Sequence, residues 1–142
     1  MISIFIPNTI FRALNNEHIP IYGDGSQIRD WLFVDDHVEA LYKILNSKFI
    51  GETFNIGGLN ELRNIHVVEQ ICEILDKVKN KEPNKSYKKL IKFSKDRPGH
   101  DKRYAINCEK IKNKLNWKPN ESFSSGILKT INWYTELFGE KE

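Results

Sequence analysis

Ile19-Pro-Ile-Tyr-Gly-Asp-Gly-Ser-Gln-Ile-Arg-Asp-Trp-Leu-Phe-Val-Asp-Asp-His37 is the stretch whose reading decides the fold. Ile19–Tyr22 has the apolar and aromatic content of a short strand, and Gly23-Asp24-Gly25 closes it as a turn. Trp31–Val34 is an unbroken apolar run and reads as a second, buried strand. Asp35 or Asp36 then caps a helix that runs to about Asn46, with Asp36 and Glu39 at the offset of a capping box. Strand, turn, strand and helix in such quick succession point to the α/β class.

The same alternation extends in both directions. Residues 7–16 read as a helix with Pro7 in its first turn and Ile10, Phe11 and Leu14 on one side. Beyond the break at Gly51, Thr53–Ile56 reads as a further buried strand, ended by Gly57 and Gly58. Asn64 is placed to N-cap a helix in which Val67, Val68, Ile71, Cys72, Leu75 and Val78 recur at helical spacing. Leu90–Phe93 reads as a strand. Asn107 caps a short helix with Ile111 and Leu115 inward, which Trp117-Lys118-Pro119 stops. Ser122 caps the last helix, where Ile127, Ile131, Tyr134 and Phe138 share a face and Gly139 is the C′ residue. Strands are few and short, and the chain opens on a helix. The pattern therefore reads as part of a larger α/β enzyme.

With 142 residues, 39% of them apolar, the chain has one domain's worth of core. No apolar run approaches the roughly 18 residues of a membrane span. The start, Met1-Ile-Ser-Ile-Phe-Ile-Pro7, lacks the basic region and cleavage site of a signal peptide. Cys72 and Cys108 are the only cysteines and form neither a disulfide framework nor a metal cluster, so a reducing cytoplasm is expected. Net charge is +3, and only five of the 22 basic residues are Arg. The lysines crowd residues 77–95 and interleave with Asn, Glu and Pro, which reads as a solvated helix end and loop. Nucleic acid and membranes are accordingly not expected partners.

Chemistry concentrates in Asp96-Arg-Pro-Gly-His-Asp-Lys-Arg-Tyr-Ala-Ile106. Arg97 offers a planar fork of donors that suits a phosphate. Pro98 fixes one backbone angle and Gly99 permits a sharp turn that returns His100 to the same side. A solvated surface turn is the plainer reading of the same residues. Motifs of other chemistries are missing. Gly23-Asp24-Gly25 is no dinucleotide loop, because position 28 is Ile and no helix follows directly. No tyrosine begins Tyr-x-x-x-Lys, and Gly-x-Ser-x-Gly, His-Glu-x-x-His and P-loop patterns are absent.

Three blocks in order, Ile19–His37, Gly51–Gly58 and Asp96–Ile106, resemble the C-terminal part of the dTDP-glucose 4,6-dehydratases, which are extended short-chain dehydrogenases/reductases. The Arg-Asp-Trp-Leu block alone also fits related nucleotide-sugar epimerases. The resemblance implies, over residues 1–142, the last strands and helices of a Rossmann-like sheet plus the small substrate-binding domain. It implies NAD as cofactor of the whole enzyme. In that enzyme the sugar is oxidised at C4 by hydride transfer to NAD, water leaves across C5 and C6, and the hydride returns to C6. The product is dTDP-4-keto-6-deoxyglucose, a precursor of L-rhamnose and other deoxysugars. The NAD-binding glycines, the catalytic Tyr and Lys, and the acid and base for water loss belong to a half of the family not found in this sequence. No residue here is expected to be catalytic, and the chain alone is expected to be inactive. It is expected to be a truncated product, a split subunit or an expressed fragment. The resemblance then implies, as partners, a separate chain carrying the NAD-binding half and, for the full-length family, a second copy in a homodimer.

By the same resemblance, Arg29 and Arg97 contact the diphosphate of a dTDP-sugar, Asn64 contacts the substrate, and Pro20 and Tyr22 line the thymine pocket. Asp96, Arg97, Pro98, Gly99 and His100 form the substrate loop. From the residues alone, Arg29 fits a salt bridge with Asp30 or Asp36 equally well, and Asn64 a helix cap. One departure stands out: Ser3-Ile-Phe-Ile6 replaces the family's Glu-Lys-Leu-Ile, so Ile4 takes the place of a lysine near the nucleotide. The competing readings are a non-catalytic module that senses nucleotide or associates with protein, and a fragment of a related epimerase.

Overall fold

The structure, a computed structural model, describes residues 5–79 and 85–139. In chain order the elements are α1 (Phe5–Leu14), β1 (Ile19–Tyr22), β2 (Ile28–Asp30), α2 (Val34–Leu45), β3 (Glu61–Arg63), α3 (Asn64–Val78), a 3-10 turn (Tyr87–Leu90), β4 (Ile91–Ser94), α4 (Glu109–Leu115) and α5 (Phe123–Gly139). The alternation of helices and strands is that of the α/β class. The chain divides into two units.

One unit comprises the chain up to Gln27, Arg63–Lys102, and the chain from Ile127 onward. Its sheet is β1 paired in parallel with β4, in the register Ile19 with Ile91, Pro20 with Lys92, Ile21 with Phe93 and Tyr22 with Ser94. Helix α3 buries Val67, Val68, Ile71, Cys72 and Leu75, the residues whose spacing repeats every turn. They meet Ile10 and Ala13 of α1 and Ile19 and Ile21 of β1 in a core sealed from solvent. Each such aliphatic side chain contributes about 1.5–3 kcal/mol by burial. Asp76 ties the end of α3 to the 3-10 turn, accepting from Ser86 Oγ at 2.6 Å and from the Tyr87 amide at 2.8 Å. Phe11, Tyr134 and Phe138 join in an aromatic cluster, with both ring pairs 5.3 Å apart.

The other unit comprises Ile28–Leu62 and Arg103–Gly126. Ala40, Cys108, Ile111 and Trp117 form its core, against which Leu32, Ile44, Phe54, Ile56 and Leu115 pack. Strand β2 lies beside β3, and Ile28 also bridges Arg103 in parallel. Asp30 accepts from the amides of Gly58 (2.9 Å) and Asn60 (2.8 Å) and so pins the loop after α2. Gly58 is needed there, because a Cβ would lie 1.8 Å from the Trp31 carbonyl oxygen.

Several expectations fail in instructive ways. Trp31–Val34 is not a strand: the strand is Ile28–Asp30, Trp31 is fixed by its amide to the Asn60 carbonyl (3.1 Å), and Val34 opens α2. Thr53–Ile56 is not a strand either, since no described strand lies beside it. Its Thr53 carbonyl accepts from Lys110 Nζ at 2.7 Å, and Phe54 and Ile56 pack into the core as side chains. Neither Asp35 nor Asp36 caps α2, whose N-cap is Phe33 without a side-chain hydrogen bond. Asp36 is buried and receives the amides of Asn120 (2.9 Å) and Glu121 (3.0 Å). The N-cap of α3 is Arg63, one residue before Asn64. Gly139 is the last residue of α5, within the helix rather than beyond it. Ser122 does cap α5, its Oγ accepting from the Ser125 amide at 3.1 Å. The N-cap of α4 is Cys108, without a side-chain hydrogen bond, and not Asn107, whose Oδ1 one residue earlier accepts from the Glu109 amide at 2.8 Å.

Candidate functional site

Strands β1 and β4 run in the same direction, so their C-terminal ends deliver two loops side by side. One is the turn Gly23–Gln27 and the other is the segment from Asp96 to His100. Ligands of parallel sheets bind at this end. Alternation along β1 buries Ile19 and Ile21 and turns Pro20 and Tyr22 to the opposite face, where Tyr22 is 54% exposed. A flat aromatic edge is thus presented next to the turn.

The turn has demanding geometry. Gly23 and Gly25 both have positive φ, +61° and +72°. A Cβ on Gly25 would come within 2.9 Å of Ile65 and Ile21 side-chain atoms, so its absence lets α3 approach β1. Asp24 Oδ1 accepts from the Ser26 amide at 2.9 Å, which stiffens the turn; the Ser26 side chain first, and its amide second, hold the Asp24 carboxyl below its ordinary value. The carbonyls of Gln27 and Gly25 accept from the amides of Asn64 (2.9 Å) and Ile65 (3.1 Å). Those are the first two amides of α3. The cap expected of the Asn64 side chain is therefore supplied by loop carbonyls, and Asn64 stands half-buried as the helix's opening residue.

Asp96 organises the second loop. Its Oδ1 accepts from the Arg97 amide (2.9 Å) and lies 2.7 Å from His100 Nδ1, while Oδ2 accepts from Gln27 Nε2 at 2.8 Å. The hydrogen bond from His100 is the largest cause holding the Asp96 carboxyl below its ordinary value. An ionised carboxylate only accepts, so Nδ1 of His100 carries the proton and Nε2 is the ring's remaining polar atom. The His100 side chain is only 10% exposed, whereas Arg97, Pro98 and Gly99 are exposed. Gly99 has φ +70°, the sharp turn its sequence predicts.

Gln27 is the residue that sequence reading missed. It is 5% exposed and its Oε1 is buried without a partner. An unsatisfied buried acceptor costs about 1–3 kcal/mol. The amide cannot flip to relieve it, because Oε1 would then face the Asp96 carboxylate. A glutamine after a glycine turn is ordinarily solvated, so nothing in the sequence flags it.

Arg29 belongs to the other unit. Its Nη1 donates to the Ile28 carbonyl at 2.7 Å, and the guanidinium lies 4.5 Å from the centre of the Tyr104 ring. The acids expected as its salt-bridge partners, Asp30 and Asp36, direct their carboxylates at backbone amides instead. Nearby in sequence, Arg103 grips Glu61 with Nε and Nη2 at 2.6 and 2.8 Å, and that hydrogen bond lowers the Glu61 carboxyl. Ile4 and Ser3 lie outside the described residues. No group of His, Cys, Asp and Glu able to hold a metal occurs among the described residues. No described helix is long and apolar enough to cross a membrane.

Residues 2–130 match the family model described as GDP-mannose 4,6 dehydratase. The chain is 55% identical over 129 residues to dTDP-glucose 4,6-dehydratase 1 of Escherichia coli (strain K12), covering 91% of this chain and 35% of that protein. It is 50% identical over 133 residues to the dTDP-glucose 4,6-dehydratase of Neisseria meningitidis, covering 92% of this chain and 38% of the relative. Among solved structures, the dTDP-glucose 4,6-dehydratase of Bacillus anthracis in complex with NAD superposes with a TM-score of 0.81 at 42% identity, over 94% of this chain and 40% of that one. DesIV, the dTDP-glucose 4,6-dehydratase of Streptomyces venezuelae with NAD and TYD bound, gives 0.86 at 31% identity, over 99% and 41%. The chain thus spans little more than a third of the length of the curated relatives it matches. Its fold is that of the C-terminal portion of an extended short-chain dehydrogenase/reductase. By sequence and by fold, the chain belongs to the GDP-mannose 4,6-dehydratase family.

Proposed function

We propose that this chain is the nucleotide-diphosphate-holding part of a dTDP-glucose 4,6-dehydratase, the enzyme that makes dTDP-4-keto-6-deoxyglucose for deoxysugar synthesis. The observation that carries the reading is the parallel pairing of β1 with β4, which sets the Gly23–Gln27 turn beside the Asp96–His100 loop at the ligand end of the strands. In this reading Arg97 and Arg29 donate to the diphosphate, each able to form paired charge-assisted hydrogen bonds. His100, in its doubly protonated form, donates from Nε2, and Asn64 adds a neutral amide. Pro20 and Tyr22 receive the thymine on their shared face of β1. Pro98 and Gly99 set the path of the loop, and Asp96 shapes it.

NAD does not fit the residues described here. The glycine turn after β1 leads to β2 and offers its carbonyls to α3, whereas a dinucleotide loop offers amides to a pyrophosphate. In this reading hydride transfer belongs to the NAD-binding portion that the longer relatives carry in addition. The proposed partners are that portion, on the same or a separate chain, and a second copy of the enzyme. This chain alone holds substrate without turning it over, in the cytoplasm where nucleotide sugars are made.

Thermal unfolding with dTDP tests the assignment. Ligand at about a hundred times Kd stabilises by about 2.7 kcal/mol, a Tm rise of several degrees. Arg97→Ala is expected to abolish the rise with an unchanged Tm in the absence of ligand, and Arg29→Ala to reduce the rise. Tyr22→Ala is expected to weaken dTDP but spare inorganic pyrophosphate. An undiminished rise in Arg97→Ala removes that guanidinium from the site.

A further inference from the structure

We propose that Gln27 is a positioning residue, whose side-chain amide clamps Asp96 so that the carboxylate holds His100 through Nδ1 and leaves Nε2 for an anionic ligand. The inference rests on the nucleotide-binding reading for its ligand but not for its geometry.

Three observations converge on Gln27. Its Nε2 donates to Asp96 Oδ2 at 2.8 Å, and the other oxygen of that carboxylate serves both the Arg97 amide and His100 Nδ1. One hydrogen bond thereby fixes the rotation of the carboxylate that orients the ring. The backbone carbonyl of the same residue receives the Asn64 amide at 2.9 Å, so Gln27 also anchors the first residue of α3. Finally, Oε1 is buried without a partner. A leucine or methionine of similar volume would fill the space without that unsatisfied oxygen, so packing alone gives no reason for an amide. What the amide supplies is a donor aimed at a charged acceptor, and charge-assisted hydrogen bonds are the stronger kind.

Gly23 fits the same device. A Cβ there would lie 3.0 Å from Asp96 Oδ2 and 3.2 Å from Gln27 Nε2, so the glycine leaves room for the clamp at the end of β1. Because Nδ1 is committed to Asp96, the ring is held as a donor pair when protonated and as the Nδ1–H tautomer when neutral. In the protonated ring Nε2–H is aligned for a phosphate oxygen. A His100 ring released from Asp96 rotates freely and takes either tautomer, which disperses that donor.

The experiment compares wild type, Gln27→Met and Gln27→Glu with two readouts. Imidazole nitrogen chemical shifts report the His100 tautomer without any ligand, with His18, His37 and His66 as internal references. Titrations with dTDP and with inorganic pyrophosphate report affinity, and far-UV circular dichroism confirms folding. The expected result is a Nδ1–H signature in the wild type that is lost in both variants, with dTDP and pyrophosphate weakened about tenfold and the other three histidines unmoved. Gln27→Glu adds a like charge beside Asp96 and is expected to show the larger loss. A Gln27→Met protein that keeps the wild-type His100 signature overturns the proposal, whatever its affinity. A signature that depends on Gln27 in a protein that binds neither probe supports the clamp and sinks the nucleotide-binding reading instead.

Discussion

A methyl group added at Gly58 lands 1.8 Å from the Trp31 carbonyl oxygen, whereas one added at Gly51 meets nothing within 4 Å. Gly51 has φ +74°, so alanine there bears only the left-handed backbone penalty of about 1 kcal/mol. Alanine at Gly58 must displace backbone that Asp30 and Asn60 hold, and about 3 kcal/mol is expected. Urea midpoints of the two variants check this order, and equal losses refute it. The cysteines make a second test. Burial, followed by the Asp76 charge, pushes the Cys72 thiol up to about 12, and burial also raises Cys108. The unfolded chain releases these protons from about pH 9, while the native chain retains them. Their contribution to stability is therefore full below about pH 9 and falls as pH climbs toward 12. Tyr87, raised by burial, acts in the same direction. A urea midpoint that declines from pH 9 to pH 10.5 is expected, with a shallower decline in Cys72→Ala. Both thiols should resist a thiol reagent at pH 8 until urea is added, and prompt native-state labelling of Cys72 contradicts its burial.

At the scale of elements, α2 depends on a carboxylate that lies inside it and not at its end. Asp36 is 3% exposed and satisfies the amides of Asn120 and Glu121, where the chain turns into α5. Asp36→Ala leaves two donors unpaired, and about 2–4 kcal/mol of stability is expected to go. Asp35→Ala, one residue away and exposed, should change stability by less than about 0.5 kcal/mol. Chemical denaturation compares them, and similar effects would restore a capping role to either. That contrast also marks what was legible in the sequence. Elements whose signal is local were: α1, α3 and α5 announce themselves by spacing, and β1 and β4 by composition and a bounding glycine or lysine loop. Elements defined by a distant neighbour were not. Strands β2 and β3 are three residues each and bury none of them fully, too short a run to carry a period that can be read. Trp31–Val34 and Thr53–Ile56 have strand composition, but a strand needs a partner, and pairing is not written in the run itself. In the candidate site, the Asp96–His100 loop was legible from its arginine, proline and glycine. Gln27 was not, because its role comes from a carboxylate 69 positions away.

For the whole molecule, the informative surface is the outer side of α2. Val34, Val38, Leu41 and Leu45 are spaced by four, three and four residues and form one stripe, yet they are 64%, 57%, 49% and 82% exposed. The residues between them on the other side, Asp36, Ala40 and Ile44, are the ones that meet the rest of the unit. An amphipathic helix normally turns a single apolar face inward, and α2 has two. A stripe of this kind promotes association in water. The wild-type chain is therefore expected to show a concentration-dependent rise in mass by light scattering and to bind a hydrophobic dye. Val38→Glu with Leu45→Glu should suppress both. The fold should persist, because exposed positions tolerate substitution within about 0.5 kcal/mol and glutamate is a good helix former. The dTDP-dependent Tm rise in that double variant separates the two consequences: it should remain, since neither Val38 nor Leu45 is among the residues proposed to hold dTDP, and Pro20, Tyr22, Arg97 and His100 lie in the other unit. A wild-type chain that stays monomeric and dye-free at high concentration would show that the α2 stripe is not sticky by itself.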